Sequence, residues 1–263
     1  MMVFAQHKAD KLTIPGSSYA RPPIIEAVIE LRFREALGAE ELARVSERFG
    51  EVYPDQREET ETEFTITPDP TGRPITQTRG TFQNFLRASQ DQREALVLKP
   101  AAMAVVDRAP YAGWSAFFDR FKRDWRIWTR AAGPRRIERV GMRYINRIDI
   151  PMLADRQIVH QENYVTVHVQ SPEHIYGATM GYEARAVYAL ASVGGHFLLR
   201  TTVLGPPPPV PGYLSVLLDF DLVRETEPPQ DENDLMTLLA TMRAEKNKIF
   251  NAAITDKARE LFQ

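Results

Sequence analysis

The sequence predicts an α+β fold of antiparallel sheet and long amphipathic helices, and three observations carry the prediction. Segments with two-residue apolar alternation recur along the chain. Two stretches, Ala112 to Arg130 and Asp234 to Ile254, place apolar residues at helical spacing. The strands are joined by long connections with no regular βα alternation, which argues against a parallel sheet. The chain has 263 residues, 43% hydrophobic and 26% charged, enough for a substantial core in one or two domains.

From Pro22 the run PPIIEAVIELRF alternates Ile25, Ala27, Ile29, Leu31 and Phe33 against Glu26, Val28, Glu30 and Arg32, a half-buried strand that its prolines keep from starting as a helix. Ala39 to Tyr53 follows as a helix with Leu42, Val45, Phe49 and Val52 on one side, ended by Pro54. Glu61–Thr67 is a short strand and Pro68 to Pro74 a turn-rich loop. Gly80–Ser89, then Ala95–Leu98 continuing to Val106, read as strands with Asp91 and Gln92 at a hairpin tip. In the helix from Ala112, the stripe Trp114, Phe117, Phe118, Phe121, Trp125, Trp128 reads as core, with Arg120, Lys122, Arg123, Asp124 and Arg126 on the remaining surface. Gly133 and Pro134 end it.

The next strand, RVGMRYINRIDIP from Arg139 to Pro151, sorts Val140, Met142, Tyr144, Ile148 and Ile150 onto one face and Arg139, Arg143 and Arg147 onto the other. Further strands are expected at Tyr164–Gln170, Gly181–Ala191 and His196–Leu204, with a turn at Gly194 and Gly195. The run GPPPPVPG, 205–212, reads as an extended polyproline spacer before a strand at Tyr213–Arg224. The closing helix carries Leu235, Leu238, Leu239, Met242, Ile249, Phe250 and Ile254, and Thr255 is placed to cap a last turn through Phe262. The division expected is a flexible arm over 1–20, an N-terminal α+β half over 21–151 and a C-terminal α+β half over 152–263. The halves are alike enough to raise a diverged duplication, but no sequence repeat supports it.

Absence of cysteine excludes disulfides, thiolate metal sites and thiol nucleophiles, and fits a reducing cytosol. The N-terminus has no apolar core of signal-peptide length, and no window approaches the roughly 18 to 20 apolar residues of a membrane span. The protein is therefore expected to be cytoplasmic, with no membrane partner. Its net charge of −2 is unevenly spread: residues 1–72 carry 8 basic and 14 acidic groups, 73–150 carry 16 and 7, and 151–263 carry 9 and 14. A basic middle segment can mark a nucleic-acid or anion-binding face, or can be neutralised by its acidic flanks within the fold.

The arginine row must answer to carboxylates of the same fold or to an external anion. In YLSVLLDFDLV, alternation buries Leu218, Phe220 and Leu222 and aims Asp219 and Asp221 the other way. Paired aspartates on a strand can grip a divalent cation for phosphoester chemistry, or can face Arg143 and Arg147 in an ion-pair layer together with Glu26 and Glu30. A third reading makes Glu26, Glu30, Arg143, Asn146, Arg147, Asp219 and Asp221 a charged cleft that recognises a polar ligand. The five histidines, His7, His160, His168, His174 and His196, lack metal-ligand spacing, no serine sits in a nucleophile elbow and no glycine-rich phosphate loop is present. No catalytic residue, metal site or cofactor is assigned.

At PPIIEAVIELRF, YAGWSAFF, GMRYINRIDIP, LDFD and KIFNAAITDKARELF the chain resembles a sporadically distributed family of uncharacterised bacterial and archaeal proteins of similar length, from about Arg21 to Phe262. The resemblance implies one full-length intracellular unit with an accessory role and brings no catalytic set. The functional expectation is a non-enzymatic binding or interaction module that forms a homo-oligomer or engages a protein partner. The alternatives are a nucleic-acid-associated protein using the basic middle segment and a metal-dependent phosphoester hydrolase using Asp219 and Asp221.

Overall fold

The computed structural model describes residues 19–68, 74–152, 159–169, 181–204 and 209–263, with the side chains of 61–83 outside that description. Its strands are β1 (Ile24–Phe33), β2 (Asp55–Pro68), β3 (Pro74–Ala88), β4 (Glu94–Lys99), β5 (Ala102–Arg108), β6 (Ile137–Pro151), β7 (Tyr182–Leu190), β8 (Gly195–Val203) and β9 (Tyr213–Arg224). Its helices are α1 (Ala39–Glu47), α2 (Trp114–Ala132), α3 (Glu232–Ala253) and α4 (Asp256–Glu260). The strands form one nine-stranded sheet in the order β2-β3-β4-β5-β1-β6-β9-β8-β7. Every pairing in it is antiparallel, so the expected mixed α+β class with antiparallel sheet holds.

This order has an internal logic. β1 is central; the chain then runs to one edge and meanders back through β2, β3, β4 and β5 to lie beside β1, closing with α2. β6 pairs with β1 at the centre, and the chain again runs outward and returns through β7, β8 and β9, closing with α3. The pattern restarts after α2, so β6 opens the second unit although it ends the first half in the linear division at 151.

Alternation decides which face of this sheet is dry. Ile29, Leu31, Met103, Val105, Val140, Met142, Tyr144, Leu218, Phe220 and Leu222 are buried in one cluster with Leu42 and Phe49 from the α1 region, Phe121 and Trp128 of α2, and Leu239 and Met242 of α3. The helices thus cover one face. Phe33 stacks on Trp128 with ring centroids 4.0 Å apart, fixing α2 to the end of β1. Asp231 caps α3 by accepting from the Asp234 N–H at 3.0 Å, and Thr255 caps α4 as its position predicts. Tyr19 donates to Asn251 at 3.0 Å and packs against Phe250 and Phe262. The expected N-terminal arm therefore ends in a docked residue; its first 18 positions lie outside the described residues, as do 69–73 and 205–208 within the two predicted loops.

Several elements differ from the sequence reading. Of the strand expected at Tyr164–Gln170, residues 164–169 form no strand and Gln170 lies outside the described residues. A 3₁₀ turn at Gln161–Asn163 precedes a single bridge, Val165 to Ile254. The Thr255 and Thr166 N–H groups bond the Tyr164 and Ala253 carbonyls, so this backbone is satisfied by the end of α3 instead of by a ladder. The continuous run predicted to Val106 is a hairpin, β4 and β5, turned at Pro100, which has no N–H to give a ladder. In β1 a register shift between Ile24 and Glu26 buries Ile24 and leaves Ile25 half-buried. Arg120 and Asp124, expected on the wet side of α2, are buried.

The turn into β8 is where glycine is required. Gly194 sits at φ 62°, and a Cβ on Gly195 would fall 1.9 Å from the Val223 carbonyl oxygen of β9. Among the described residues no helix is long and apolar enough to cross a membrane.

Candidate functional site

The sheet face opposite the helices carries a ladder of charges across β5, β1, β6 and β9. Period-two alternation places Arg139, Arg143, Arg147 and Asp149 of β6 there, beside Glu26 and Glu30 of β1 and Asp219 and Asp221 of β9. Arg143 lies opposite Asp221 in register but reaches diagonally to Asp219, donating Nε and Nη2 to its two oxygens at 2.8 and 2.7 Å. Arg139 donates to Glu30 at 2.6 Å and to Asp221 at 3.3 Å, with Glu225 at 3.5 Å. Arg147 is held by Asp149 of its own strand at 3.0 Å, and Asp149 accepts from Ser215 at 2.6 Å. Glu26 faces Arg108 of β5 at 3.7 Å.

Six of the seven residues proposed for the cleft therefore share a face, and internal carboxylates answer the arginines. Asn146 does not belong with them. It stands three residues from Arg143, so the pleat turns it to the helix side, where it is buried and donates to the Leu218 carbonyl at 3.1 Å.

The electrostatics follow from this packing. Its hydrogen bonds to the Asp219 carboxylate hold the Arg143 guanidinium more firmly in its charged form. Burial pushes the Asp221 carboxyl above its ordinary value, against the pull of Arg139 and Arg143. Both aspartates are already spent on guanidinium groups, so a cation between them would have to displace Arg143 or Arg139. Among the described residues no group of three or more His, Asp or Glu side chains is placed to hold a metal ion. His160 pairs with Glu162 at 2.8 Å, and His7 and His174 lie outside the described residues.

At the Arg139 end the ladder opens into a hollow of about 520 Å³ lined by Arg32, Arg34, Arg136, Glu225 and Glu227 among others, a mixed-charge surface. The basic excess of the middle segment is most concentrated elsewhere. Lys122, Arg123, Arg126 and Arg130 line a second hollow of about 460 Å³ on the outer flank of α2, where Asp119 and Ile127 also lie. Lys122 is tied to Asp119 at 2.6 Å and Arg126 approaches Glu232 at 3.7 Å, while Arg130 makes no ion pair among the described residues.

Beneath the helices lies a polar network that residue type alone did not reveal. The Tyr53 hydroxyl donates to Asp124 at 2.6 Å and accepts from Arg120 at 3.1 Å and Arg123 at 2.9 Å. Arg120 also approaches Asp107 at 3.5 Å. Burial raises the carboxyls of Asp124 and Asp107 and the phenol of Tyr53. Further along, Tyr111 and Tyr144 share a 3.3 Å hydroxyl contact, and the Lys246 ammonium of α3 lies 4.2 Å from the Tyr144 ring centroid. Desolvation, with Arg243 as a like charge, lowers Lys246 to about 8. The available signal was spacing: Arg120 and Asp124 fall within the Phe117, Phe121, Trp125, Trp128 stripe. No protein-family profile matches this chain, and no curated protein matches it in sequence.

Proposed function

We propose that the protein is a cytoplasmic, non-enzymatic binding or interaction module that self-associates and recognises partners through the face of its sheet opposite the described helices. The observation that carries this reading is the Arg143–Asp219 pair. A bidentate bond closes both carboxylate oxygens, yet the Arg143 side chain remains 40% exposed on the face opposite the described helices. With the Arg108–Glu26 and Arg147–Asp149 pairs, and Arg139 between Glu30 and Asp221, it forms a platform of paired and geometrically fixed charges, suited to docking and poor in free nucleophile or base. The chain's lack of cysteine supports a reducing compartment. Membership of the sporadic family that its RYINRI and LDFD strands resemble, and descent of the two strand–meander–helix units from one ancestor, belong to the same proposal.

A second reading is favoured by one observation, the α2 flank. Four cations on one helical stripe line a hollow with only one acidic residue, Asp119, among its lining, which suits a polyanion, so this reading runs through Lys122, Arg123, Arg126 and Arg130 and not through Arg143 and Arg147, which lie among the carboxylates of the sheet face.

Light scattering across a concentration series tests self-association; a mass fixed at 30.0 kDa would overturn that clause. Turnover of a phosphodiester substrate with magnesium or manganese, abolished in Asp219→Asn, would overturn the non-enzymatic reading. Fluorescence anisotropy with single- and double-stranded oligonucleotides tests the second reading. A salt-sensitive rise lost on reversing Arg126 and Arg130 supports it, and a flat trace removes it.

A further inference from the structure

The two edges of the sheet are built differently. β2, at one edge, carries Glu58 and Glu59, and its sequence continues with glutamates at 61 and 63, so an antiparallel approach by a second β2 sets like charges near one another. β7, at the other edge, reads YEARAVYAL and has two charges, Glu183 and Arg185, followed by an uncharged run. It pairs with β8 residue for residue from Tyr182 to Leu190 without a bulge. It contains no proline or lysine, the usual guards of an open edge. Val187 and Tyr188 are 58% and 45% exposed, the highest values among the large apolar side chains described.

The charges at this edge are self-complementary. Glu183 and Arg185 lie on the same face, two residues apart, so a second β7 running antiparallel about a two-fold axis at Ala184 overlaps the first over residues 182–186 and sets Glu183 opposite the partner subunit's Arg185, and the reverse. Within its own chain Arg185 is opposite Arg200 of β8, a like charge, and makes no hydrogen bond or ion pair among the described residues. Glu183 approaches Arg200 at 3.3 Å, which leaves its second oxygen for another donor.

We propose that β7 is the self-association edge, pairing antiparallel with β7 of a second copy so that two nine-stranded sheets become continuous. This rests on the self-association clause of the preceding reading and names its surface. Main-chain hydrogen bonds supply the adhesion, and the Glu183–Arg185 exchange sets the register.

Sedimentation velocity over a concentration series reaching about 100 µM, suited to a weak interface, gives the test. Wild type is expected to sediment as a monomer–dimer equilibrium. Arg185→Glu is expected to weaken the dimer by about tenfold because both cross-strand pairs become repulsive. Adding Glu183→Arg to Arg185→Glu restores the opposite-charge pairs and is expected to return the constant to near wild type. Rescue by the double variant supports the edge whatever happens to the single variant's folding. A chain that stays monomeric overturns this inference and the self-association clause together. A dimer unmoved by these changes, or weakened by Arg185→Glu without rescue, overturns the β7 assignment and leaves self-association standing.

Discussion

Replacing Lys246 by methionine should make the protein more stable. The side chain is 7% exposed, under α3 and against the Tyr144 ring, and no carboxylate pairs with it among the described residues. A fall from the ordinary 10.5 to about 8 means that the folded state charges this amine less readily than the unfolded chain does. At 1.36 kcal/mol per pH unit, the shift corresponds to about 3 kcal/mol of destabilisation at neutral pH. Methionine keeps the unbranched stem and removes the ammonium. It also loses the cation–π contact, worth about 1–2 kcal/mol in a desolvated site. A net gain of about 1–2 kcal/mol at pH 7 remains.

The pH dependence identifies the cause. Between pH 8 and 10.5 the unfolded state binds the proton that the folded state has released, so wild-type stability rises with pH across that window. Buried Tyr111, pushed up to about 12, and Tyr144, also raised, act in the opposite sense once the unfolded phenols ionise near 10. The two proteins share those tyrosines, so the difference between them isolates the lysine. Urea unfolding from pH 7 to 10.5 should show the methionine advantage shrinking steadily toward zero, because the neutral amine carries neither the burial penalty nor the cation–π contact. A constant difference, or a variant less stable at pH 7, would refute the reasoning.

Two other substitutions probe the frame. Tyr53→Phe removes a hydroxyl bonded to Asp124, Arg120 and Arg123 and should cost about 2–3 kcal/mol by urea midpoint. Because that hydroxyl restrains the already raised Asp124 carboxyl, the deficit should narrow as pH falls toward 4, where protonation relieves the buried charge; a deficit that widens would count against it. Gly195→Ala forces a methyl against the Val223 carbonyl and should cost about 1–3 kcal/mol, chiefly by loosening the β8–β9 pairing, with loss of amide protection there; an unchanged midpoint and exchange pattern would contradict the contact.

What the sequence made legible follows from period and sign. The alternation in β6 and β9 was enough to put Arg143 and Asp219 on one face, because a pleat has no other way to dispose of them. Asn146 was grouped with the arginines by nearness in the chain, whereas three residues along a strand is the wrong parity. Arg120 and Asp124 looked solvent-facing because charge was weighed before spacing; their partner Tyr53 comes from beyond α1 and meets them only through packing. β6 was assigned to the first half because linear order cannot show that it opens a second strand–meander–helix unit. The exposure of β7 depends on sheet order, which no local pattern encodes.

The pairing of β1 with β6 bears on how the chain is made. Leu31 waits for Val140, so while a ribosome extrudes the intervening residues, the first half can complete its own meander and α2 with β1 left as a temporary rim. Glu26, Glu30 and Arg32 along that rim are then the nascent polypeptide's protection against premature sticking, until the emerging arginine-bearing strand arrives to close it.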